Sequence, residues 1–209
     1  MAESTDLQAH WDHVWSSGDA TGRSWFEREA ASSMREITAV AGKGATVIDV
    51  GAGASPLVDA LLDAGFARPA VLDISAHALA RTRARLGDRA DAVDWVVGDV
   101  TQVRLPRTFD VWHDRAVLHF LTTDEAVAAY ASSVGHHVAV GGHAILATFS
   151  PDGPSACSGL DVRRYDGAGL LAVLGKDWKL QEHHTEVHQT PAGALQEFTW
   201  ARLQRTRGG

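Results

Sequence analysis

Short runs of β-branched and other apolar residues alternate along the chain with longer segments in which apolar residues recur at helical spacing. Each short run spans six or seven residues, as expected for strands buried in a parallel sheet. The predicted strands cover residues 45–50, 69–74, 92–98, 109–114 and 143–149. Strand–helix alternation is typical of right-handed βαβ units, so we expect five parallel strands with helices packed on the sheet.

Characteristic residues mark the ends of the segments between these strands. The predicted helices cover residues 55–65, 75–87 and 122–138. Ser55 and Ser75 are the predicted N-caps, and Pro56 takes a first helical position. Gly65 and Gly87 follow the last turns of their helices. The third segment has acidic residues in its first turn and histidines in its last, as the helix macrodipole favours.

The two ends of the chain depart from this alternation. Residues 165–175 predict a short helix, and residues 178–189 and 194–205 are extended runs joined by a Pro/Gly turn, which predicts a hairpin. Residues 5–41 predict two helices broken near the sequence SSGDATG. We therefore expect an α/β fold with a doubly wound seven-stranded sheet, mostly parallel, with a C-terminal antiparallel hairpin.

The composition is that of an ordinary globular domain. The chain has 209 residues, of which 45% are hydrophobic and 22% charged, so we expect one domain with a substantial core. The formal net charge is −7 and no concentrated basic cluster occurs, which argues against nucleic acid as a partner. Cys157 is the only cysteine, so no intrachain disulfide can form. Because no apolar leader or long apolar run is present, we expect a cytoplasmic protein without a membrane partner.

The strongest local signal is the sequence VIDVGAGASP at residues 47–56. A buried strand carrying Asp49 leads into a Gly-x-Gly turn, in which Gly51 and Gly53 allow unusual φ angles and a close approach of backbone to a ligand. Asp73 ends the second predicted strand, 20 residues after Gly53, where an acidic residue suits two ribose hydroxyls. These features predict an adenosine ligand but do not by themselves separate NAD from others.

Three further observations argue against NAD. Pro56 replaces the third glycine of the dinucleotide fingerprint, so the close helix approach over a pyrophosphate is not provided. Asp99 follows the third strand, where a carboxylate could accept a hydrogen bond from an adenine amino group. Neither Tyr130 nor Tyr165 is followed four residues later by the lysine that a short-chain dehydrogenase normally carries.

These motifs resemble those of the class I S-adenosylmethionine (SAM)-dependent methyltransferases. VIDVGAGAS resembles the first motif of that family, VLDIS the acidic second-strand motif, VVGDV the adenine motif and FDVWHDRAVLHFL the fourth-strand motif. AVGGHAILATF resembles the fifth-strand segment, and the match covers roughly residues 40–150 in the family's order. The opening HWDHVWSSGDATGRSWFE resembles a branch with small-molecule and protein-lysine methyltransferases, although Trp15 replaces the tyrosine of its Trp-Asp-x-x-Tyr pattern.

The resemblance implies a Rossmann-like methyltransferase fold with SAM as cofactor. The implied cofactor-binding residues are Trp25, Asp49, Gly51, Ala52, Gly53, Asp73, Ile74, Asp99, Val100 and Asp114. Asp49 and Asp114 would lie near the methionyl amine, Asp73 would bind the ribose with Ile74 packing on adenine, and Asp99 and Val100 would hold the adenine edge. The simpler interpretations remain open, since Asp49 and Asp73 could cap strand ends and Asp99 could be a turn residue.

The stretch VWHDRAVLHF at residues 111–120 carries the candidate catalytic residues. His113, Asp114 and His119 are candidate bases, which a hydroxyl or charged ammonium acceptor would need and a thiolate or neutral amine would not. Arg115 could face the acceptor or pair with Asp114, and His119 could equally be a core histidine.

Aromatic residues near the N-terminus are the other candidates for a substrate site. Trp11, Trp15 and Phe26 are predicted to bind substrate, and Trp25 to lie near the pocket, because aromatic walls attract cationic groups. Trp11 and Trp15 lie four residues apart, so a plain buried helical face explains them as well.

The remaining histidines and the cysteine carry weaker signals. No HExxH motif and no Cys/His cluster with zinc spacing occurs, so we predict no metal site. His184 and His188 alternate with glutamates on one strand face, which indicates solvent. Cys157 lies in a loop after the fifth strand, without a neighbour that would activate it, although that loop could contact substrate.

Taken with the resemblance, these features predict a single methyltransferase domain over residues 1–209. Residues 1–41 would form a helical lid, 42–150 the SAM-binding core, and 151–209 the substrate-side loop, helix and hairpin. The leading hypothesis is methyl transfer to a small-molecule N, S or O acceptor, giving S-adenosylhomocysteine (SAH). A protein-lysine methyltransferase is the second hypothesis, a non-catalytic nucleotide-binding module the third, and an NAD oxidoreductase the last. The sequence does not specify the acceptor or the oligomeric state.

Overall fold

A computed structural model describes residues 2–17 and 22–207 of the chain. In chain order the helices and strands are α1 (Ala2–Ser16), α2 (Ala31–Thr38), β1 (Val47–Val50), α3 (Leu57–Asp63), β2 (Ala70–Asp73), α4 (Ala76–Leu86), β3 (Asp94–Val97), β4 (Phe109–Arg115), α5 (Asp124–His137), β5 (Val138–Phe149), β6 (Ala156–Cys157), β7 (Leu160–Asp161), α6 (Gly167–Leu174), β8 (Trp178–Gln189) and β9 (Leu195–Arg205). Two 3-10 turns cover Gly87–Ala92 and Leu118–Phe120.

Seven strands form one sheet in the order β3-β2-β1-β4-β5-β9-β8. Strands β1 to β5 run parallel to one another, and β9 runs antiparallel to both β5 and β8. The predicted doubly wound sheet, mostly parallel with a C-terminal hairpin, is therefore confirmed. The strand order reverses at β1. The glycine turn that follows β1 therefore lies at the switch point, where open α/β sheets bind ligands.

Most element ends lie close to their predicted positions. Ser75 caps α4 by accepting a hydrogen bond from the Ala78 amide. Helix α3 begins one residue later than predicted, at Leu57, whose amide donates to the Ser55 hydroxyl. Strand β5 begins at Val138, before the predicted residue 143, because its first part pairs with β4 across a bulge that interrupts the apolar pattern.

The two faces of the sheet pack against different helices. On one face, Trp112 of β4 belongs to a buried cluster with Tyr130 of α5 and Leu170 of α6. On the other face, Val111 of β4 belongs to a cluster with Ile37 of α2. Because side chains alternate along a strand, successive residues of β4 face different helical layers.

Helix α1 covers the carboxyl end of the sheet and is attached to α4. The Ser75 hydroxyl donates to Asp12 of α1 at 2.6 Å, and His77 of α4 lies 3.2 Å from the same carboxylate oxygen. The predicted break between the N-terminal helices falls partly on residues 18–21, outside the described residues. In the described part of the chain, no helix combines the length and apolarity needed to cross a bilayer.

Candidate functional site

A pocket lies at the carboxyl ends of β1, β2, β3 and β4, beneath α1. The sequence-predicted site residues that line it are Trp11, Trp15, Trp25, Phe26, Asp49, Gly51, Ala52, Gly53, Asp73, Ile74, Asp99, Val100, His113 and Arg115. Asp114 and His119 are the predicted site residues that do not line it. The motifs that are far apart in the sequence are therefore brought together at one edge of the sheet.

The turn after β1 depends on its two outer glycines. Gly51 and Gly53 have φ angles of +65° and +52°, in the left-handed region that other residues rarely adopt. A side chain at Gly53 would place its Cβ atom 2.7 Å from the Trp15 ring. The Gly51 and Ala52 amides donate to the Leu72 carbonyl at 2.7 and 3.1 Å, which fixes the turn to the end of β2. The turn thus presents backbone, rather than side chains, to the pocket.

Asp73 joins this turn to the start of α4. Its two carboxylate oxygens accept hydrogen bonds from the amides of Gly53 and Ser75, each at 2.8 Å. Burial raises the pKa of Asp73 to about 6, and the two backbone donors only partly offset this effect. Each oxygen has a second lone pair, so the carboxylate can accept further bonds from hydroxyl groups in the pocket.

Asp99 has a structural role besides its place in the pocket wall. One of its oxygens accepts hydrogen bonds from the Thr101 amide and hydroxyl at 2.8 and 2.7 Å, and the other accepts from Gln102 at 3.2 Å. Asp99 therefore makes the hydrogen bonds of a turn residue and also lines the pocket, and its contact with an adenine edge stays a prediction.

His113 and Asp49 form a buried pair in the pocket wall. The two residues are aligned partners on the neighbouring strands β4 and β1. His113 Nδ1 lies 2.8 Å from Asp49 Oδ1, and the side chains are 2% and 5% exposed. The other polar atoms of the pair, His113 Nε2 and Asp49 Oδ2, are buried without a hydrogen-bond partner among the described residues.

Arg115 is held by Glu27 rather than by Asp114. Its guanidinium lies 2.8 Å from Glu27 Oε1, donates to the Trp25 carbonyl at 3.2 Å and stacks 5.1 Å above the centre of the Phe198 ring. Burial lowers the pKa of Arg115, and the charge of Glu27 acts in the opposite direction. The pairing with Asp114 considered from the sequence is absent because successive residues of β4 point to opposite faces of the sheet.

Asp114 lies on the far face of β4 and does not reach the pocket, contrary to the sequence-based expectation. Its carboxylate accepts hydrogen bonds from the Tyr130 hydroxyl at 2.6 Å and from the amides of Val117 and Leu118 at 2.8 and 3.1 Å. Burial raises its pKa to about 6 despite these donors. Asp114 therefore fixes the turn after β4 and is not positioned to contact a ligand or to act as a base.

His119 also lies outside the pocket, in the core. Its ring packs against Phe120 and Phe149, with centroids 4.4 and 4.8 Å away, and its Nδ1 atom accepts from the Phe149 amide at 3.4 Å. Burial lowers its pKa to about 3, so the ring is neutral at physiological pH. The core-histidine interpretation is the one that fits this geometry.

Aromatic rings enclose the pocket on the side of α1. Trp11 packs edge-on against Trp25 and Phe120, with centroids 5.8 and 5.0 Å away, and Trp15 packs against Trp25 at 6.0 Å. Phe120 was not predicted as a site residue, because only the turn after β4 brings it opposite α1. This wall presents apolar rings to the pocket, which disfavours water there.

Glu27 and Cys157 also line the pocket and were not predicted as site residues. Glu27 directly follows the predicted Phe26, but nothing in the spacing shows that it pairs with Arg115. The Cys157 thiol is buried, and burial raises its pKa. A protonated thiol of this kind is a poor nucleophile, in agreement with the inert interpretation.

The charged side chains of the hairpin form ion pairs rather than a metal site. Arg35 of α2 donates to Glu186 of β8 at 2.7 Å, and Arg202 of β9 donates to Glu36 of α2 at 2.9 Å. These ion pairs attach α2 to the hairpin, so this strand face is only partly in solvent. Across residues 2–17 and 22–207, no three His, Cys, Asp or Glu side chains are grouped to hold a metal ion.

The lining residues fit SAM in charge and shape. Asp49 Oδ2 can accept a hydrogen bond that it does not receive from the described residues, and the methionyl ammonium of SAM is such a donor. Asp73 and Asp99 offer carboxylates at the ends of neighbouring strands. The aromatic faces of Trp15 and Trp25 are suited to the positive charge of a sulfonium.

Part of the chain matches a known protein family in sequence. The family model described as a methyltransferase domain matches residues 47–142, from the start of β1 into β5. No curated protein is detectably similar to the chain in sequence.

Solved structures match the fold over nearly the whole chain. One comes from work on the conversion of a disulfide bond into a thioacetal group during echinomycin biosynthesis, with a TM-score of 0.76, 16% identity and coverage of 95% of this chain and 92% of the other. A SAM-dependent methyltransferase from Anabaena variabilis has a TM-score of 0.75, 13% identity and coverage of 95% of both chains. The N-methyltransferase NodS from Bradyrhizobium japonicum, in complex with SAH, has a TM-score of 0.68, 16% identity and coverage of 85% of both chains. Residues 47–142 therefore match a methyltransferase domain, and the chain shares the fold of SAM-dependent methyltransferases of known structure.

Proposed function

We propose that the protein transfers the methyl group of SAM to an N, S or O atom of a small molecule and leaves SAH. The observation that carries this proposal is the aromatic enclosure of the pocket by Trp11, Trp25 and Phe120 beside the glycine turn. An enclosed apolar pocket of this kind suits an acceptor that can be surrounded. The NodS structure, described as an N-methyltransferase, is consistent with such an acceptor but concerns that protein alone.

The cofactor roles in this proposal follow from the pocket wall. Gly51, Ala52 and Gly53 pass beneath SAM, Asp73 accepts hydrogen bonds from its ribose, and Asp49 accepts from its methionyl ammonium. Ile74, Asp99, Val100 and Trp25 line the same pocket and complete the cofactor site. Asp114 is left out of this set because its hydrogen bonds lie on the other face of β4.

The chain's own residues supply alignment and exclusion of water. SAM, when bound, supplies a methyl carbon already activated by its sulfonium. The glycine turn fixes one side of the reacting centre, and the rings of Trp11, Trp25 and Phe120 restrict the other, so the acceptor meets the methyl carbon in few orientations. The same rings keep competing water away. In this proposal Arg115 and Phe26 contact the acceptor, and Trp15 holds the glycine turn against α1.

We further propose that residues 1–41 act as a lid on a single domain that comprises residues 42–150 as cofactor core and 151–209 as substrate side. Asp12 attaches α1 to Ser75, immediately after the strand that ends in Asp73. In this proposal the hydrogen bond between Asp12 and Ser75 opens when SAM enters beneath Trp15. The lid therefore moves at a point next to the proposed ribose site.

A protein lysine is the second candidate acceptor. The observation that favours it is that Asp49 and Glu27 line the pocket in addition to Asp73 and Asp99, since carboxylates attract an ammonium group. The partial neutralisation of Glu27 by Arg115 weakens this attraction, which is why we place the small-molecule acceptor first.

Methyl-labelled SAM distinguishes the two candidates. The protein is incubated with labelled SAM and a panel of thiols, amines and phenols, and then with cell lysate separated into small-molecule and protein fractions. We expect label in small molecules, and much less with Asp73→Asn, whereas Asp110→Asn, which changes a carboxylate at the far end of β4, should match the unmodified protein. Label confined to the protein fraction would support a protein acceptor and contradict our proposal.

A further inference from the structure

We propose that His113 is the base that removes a proton from the acceptor, that Asp49 positions it, and that the acceptor atom is therefore the nitrogen of a protonated amine or a hydroxyl oxygen. This inference rests on the proposed function and narrows its acceptor class. It assigns to one histidine a role that the sequence left open among three residues.

The sheet holds His113 and Asp49 side by side. His113 and Asp49 are aligned on adjacent parallel strands, so their side chains emerge on the same face of the sheet at the pocket wall. The 2.8 Å contact between His113 Nδ1 and Asp49 Oδ1 involves side chains that are almost completely buried. Both partners are fixed by the sheet itself, so the pair keeps its orientation without help from a mobile loop.

The contact with Asp49 bears on the tautomer of His113. An ionised carboxylate can only accept a hydrogen bond, so the contact requires Nδ1 of His113 to carry a proton. In a neutral ring the lone pair then resides on Nε2. That atom is buried and has no hydrogen-bond partner among the described residues, although its residue lines the pocket. A buried basic nitrogen without a partner is costly to a fold, which points to a partner brought by a ligand.

Other polar groups of the pocket wall differ from His113 in their partners or their protonation. Arg115 and Glu27 neutralise each other at 2.8 Å, and the Cys157 thiol is protonated because burial raises its pKa. The oxygens of Asp73 each accept a backbone amide. His113 thus combines, among these lining groups, a basic atom, burial and an orienting carboxylate, which is the arrangement a general base requires.

The proposed step is a single proton transfer that balances with methylation. The N–H bond of a protonated amine, or the O–H bond of a hydroxyl, breaks, its proton forms a bond to His113 Nε2, and the electron pair remains on the acceptor atom. That pair forms the new bond to the methyl carbon, whose former bonding pair stays with sulfur. The imidazolium that results is stabilised by the Asp49 carboxylate until it releases the proton to water. A thiolate needs no such step.

Nuclear magnetic resonance tests the tautomer without any acceptor. Protein labelled with ¹⁵N-histidine is examined at pH 8 with SAH, and the signals missing in His113→Gln identify His113. We expect a proton on Nδ1 and an unprotonated Nε2, and a change of this tautomer in Asp49→Asn. A proton on Nε2, or a fully protonated ring at pH 8, would overturn the proposal, because neither form can accept a proton there.

Kinetics test the acceptor class with the amines, phenols and thiols of the panel. We expect His113→Gln to lower kcat for an amine or phenol about 10²- to 10⁴-fold, the usual contribution of a general base, and to flatten its pH profile. Its affinity for SAH should change less than about twofold. His136→Gln, at the exposed end of α5, is the matched control.

The two proposals can fail separately. Turnover of thiols alone, unaffected by His113→Gln, would refute the role of His113 while leaving small-molecule methylation intact. Label found only in proteins would refute the small-molecule proposal, and the NMR tautomer would still decide the state of His113.

Discussion

Neighbouring residues of β4 have different environments because the strand alternates its side chains between two helical layers. His113 and Arg115 face the layer of α2 and line the pocket, whereas Asp114 between them faces α5 and binds the Tyr130 hydroxyl. A shift of register by one residue would exchange these roles. The alternation of side chains along β4 therefore determines which residues reach the pocket. The composition of the strand alone does not distinguish His113, Asp114 and Arg115.

Asp73 is the residue for which a ligand contact is most directly testable. Asp73→Asn replaces one carboxylate oxygen with an amide group that faces a backbone donor and cannot accept from a ribose hydroxyl. We expect SAH to bind about 1–3 kcal/mol more weakly in calorimetry, the cost of leaving polar ligand groups without partners. Asp110→Asn, which alters an exposed carboxylate that also accepts a backbone amide, should bind SAH normally. Unchanged affinity in Asp73→Asn would contradict the ribose role.

Gly53 tests whether the turn after β1 requires glycine. Gly53→Ala combines a positive φ angle with a Cβ atom 2.7 Å from the rigid Trp15 ring. The left-handed conformation alone costs roughly 1–2 kcal/mol, so urea unfolding should show at least that loss of stability. Gly44→Ala serves as the control, since Gly44 has open space around it and no positive φ. Equal stability of the two variants would mean that the turn adapts to a side chain.

Sequence reasoning predicts the single residues of this site better than their pairs. Asp49, Gly51 and Gly53 were predicted because their residue types and spacing reflect local backbone demands. The pairing of His113 with Asp49 depends on the register between two strands that lie 64 residues apart in the chain. No local pattern encodes that register, so the pair emerges only in the folded sheet.

At the scale of elements, α1 is attached to the domain differently from the other helices. Its side chains reach the pocket through Trp11 and Trp15, and the bond between Asp12 and Ser75 connects it to the first turn of α4. By contrast, α5 has Tyr130 and Val134 completely buried against the sheet. Val14 and Trp15 of α1 are also buried but keep 8% and 6% of their surface exposed, so the lid role of α1 stays a proposal.

The helix α5 contains a site where stability can be raised. Gly135 lies in its last part, and a Cβ atom added there would have no neighbour within 4 Å. Gly135→Ala should stabilise the protein by about 0.5–1 kcal/mol, because glycine has more backbone freedom to lose in a helix. Thermal unfolding measures the change, and Gly44→Ala again provides the comparison outside a helix. A lower melting temperature for Gly135→Ala would show an unfavourable contact.

The elements that sequence reasoning found are those with a strong local pattern. The hairpin of β8 and β9 was predicted almost residue for residue, because its turn residues and alternation are local signals. The short β6–β7 pair was predicted as loop, since two-residue strands carry no periodicity. The early start of β5 was missed because a bulge opposite β4 interrupts its pattern.

At the scale of the whole molecule, buried titratable groups make stability depend on pH in two opposite ways. Burial raises the pKa values of Asp73 and Asp114 to about 6, so their contribution to stability is complete below their ordinary pKa near 3.8 and is lost as the pH rises through 6. Burial lowers the pKa of His119 to about 3, so its contribution is present above 6.5 and is lost as the pH falls toward 3. The net acid sensitivity of the fold is the difference between these effects.

His119→Gln isolates the histidine contribution, because the two carboxylates remain and their effects cancel in the comparison. Glutamine can still accept a hydrogen bond from the Phe149 amide but takes up no proton. From pH 7 to pH 4, the unmodified protein should lose about 3 kcal/mol more unfolding free energy than the variant, since its unfolded chain alone gains the proton. Urea unfolding at both pH values measures this difference, with His136→Gln as an exposed control. If the two proteins differ by the same unfolding free energy at pH 7 and at pH 4, His119 takes up a proton in the folded protein as well. The core around Phe120 and Phe149 would then admit a charge.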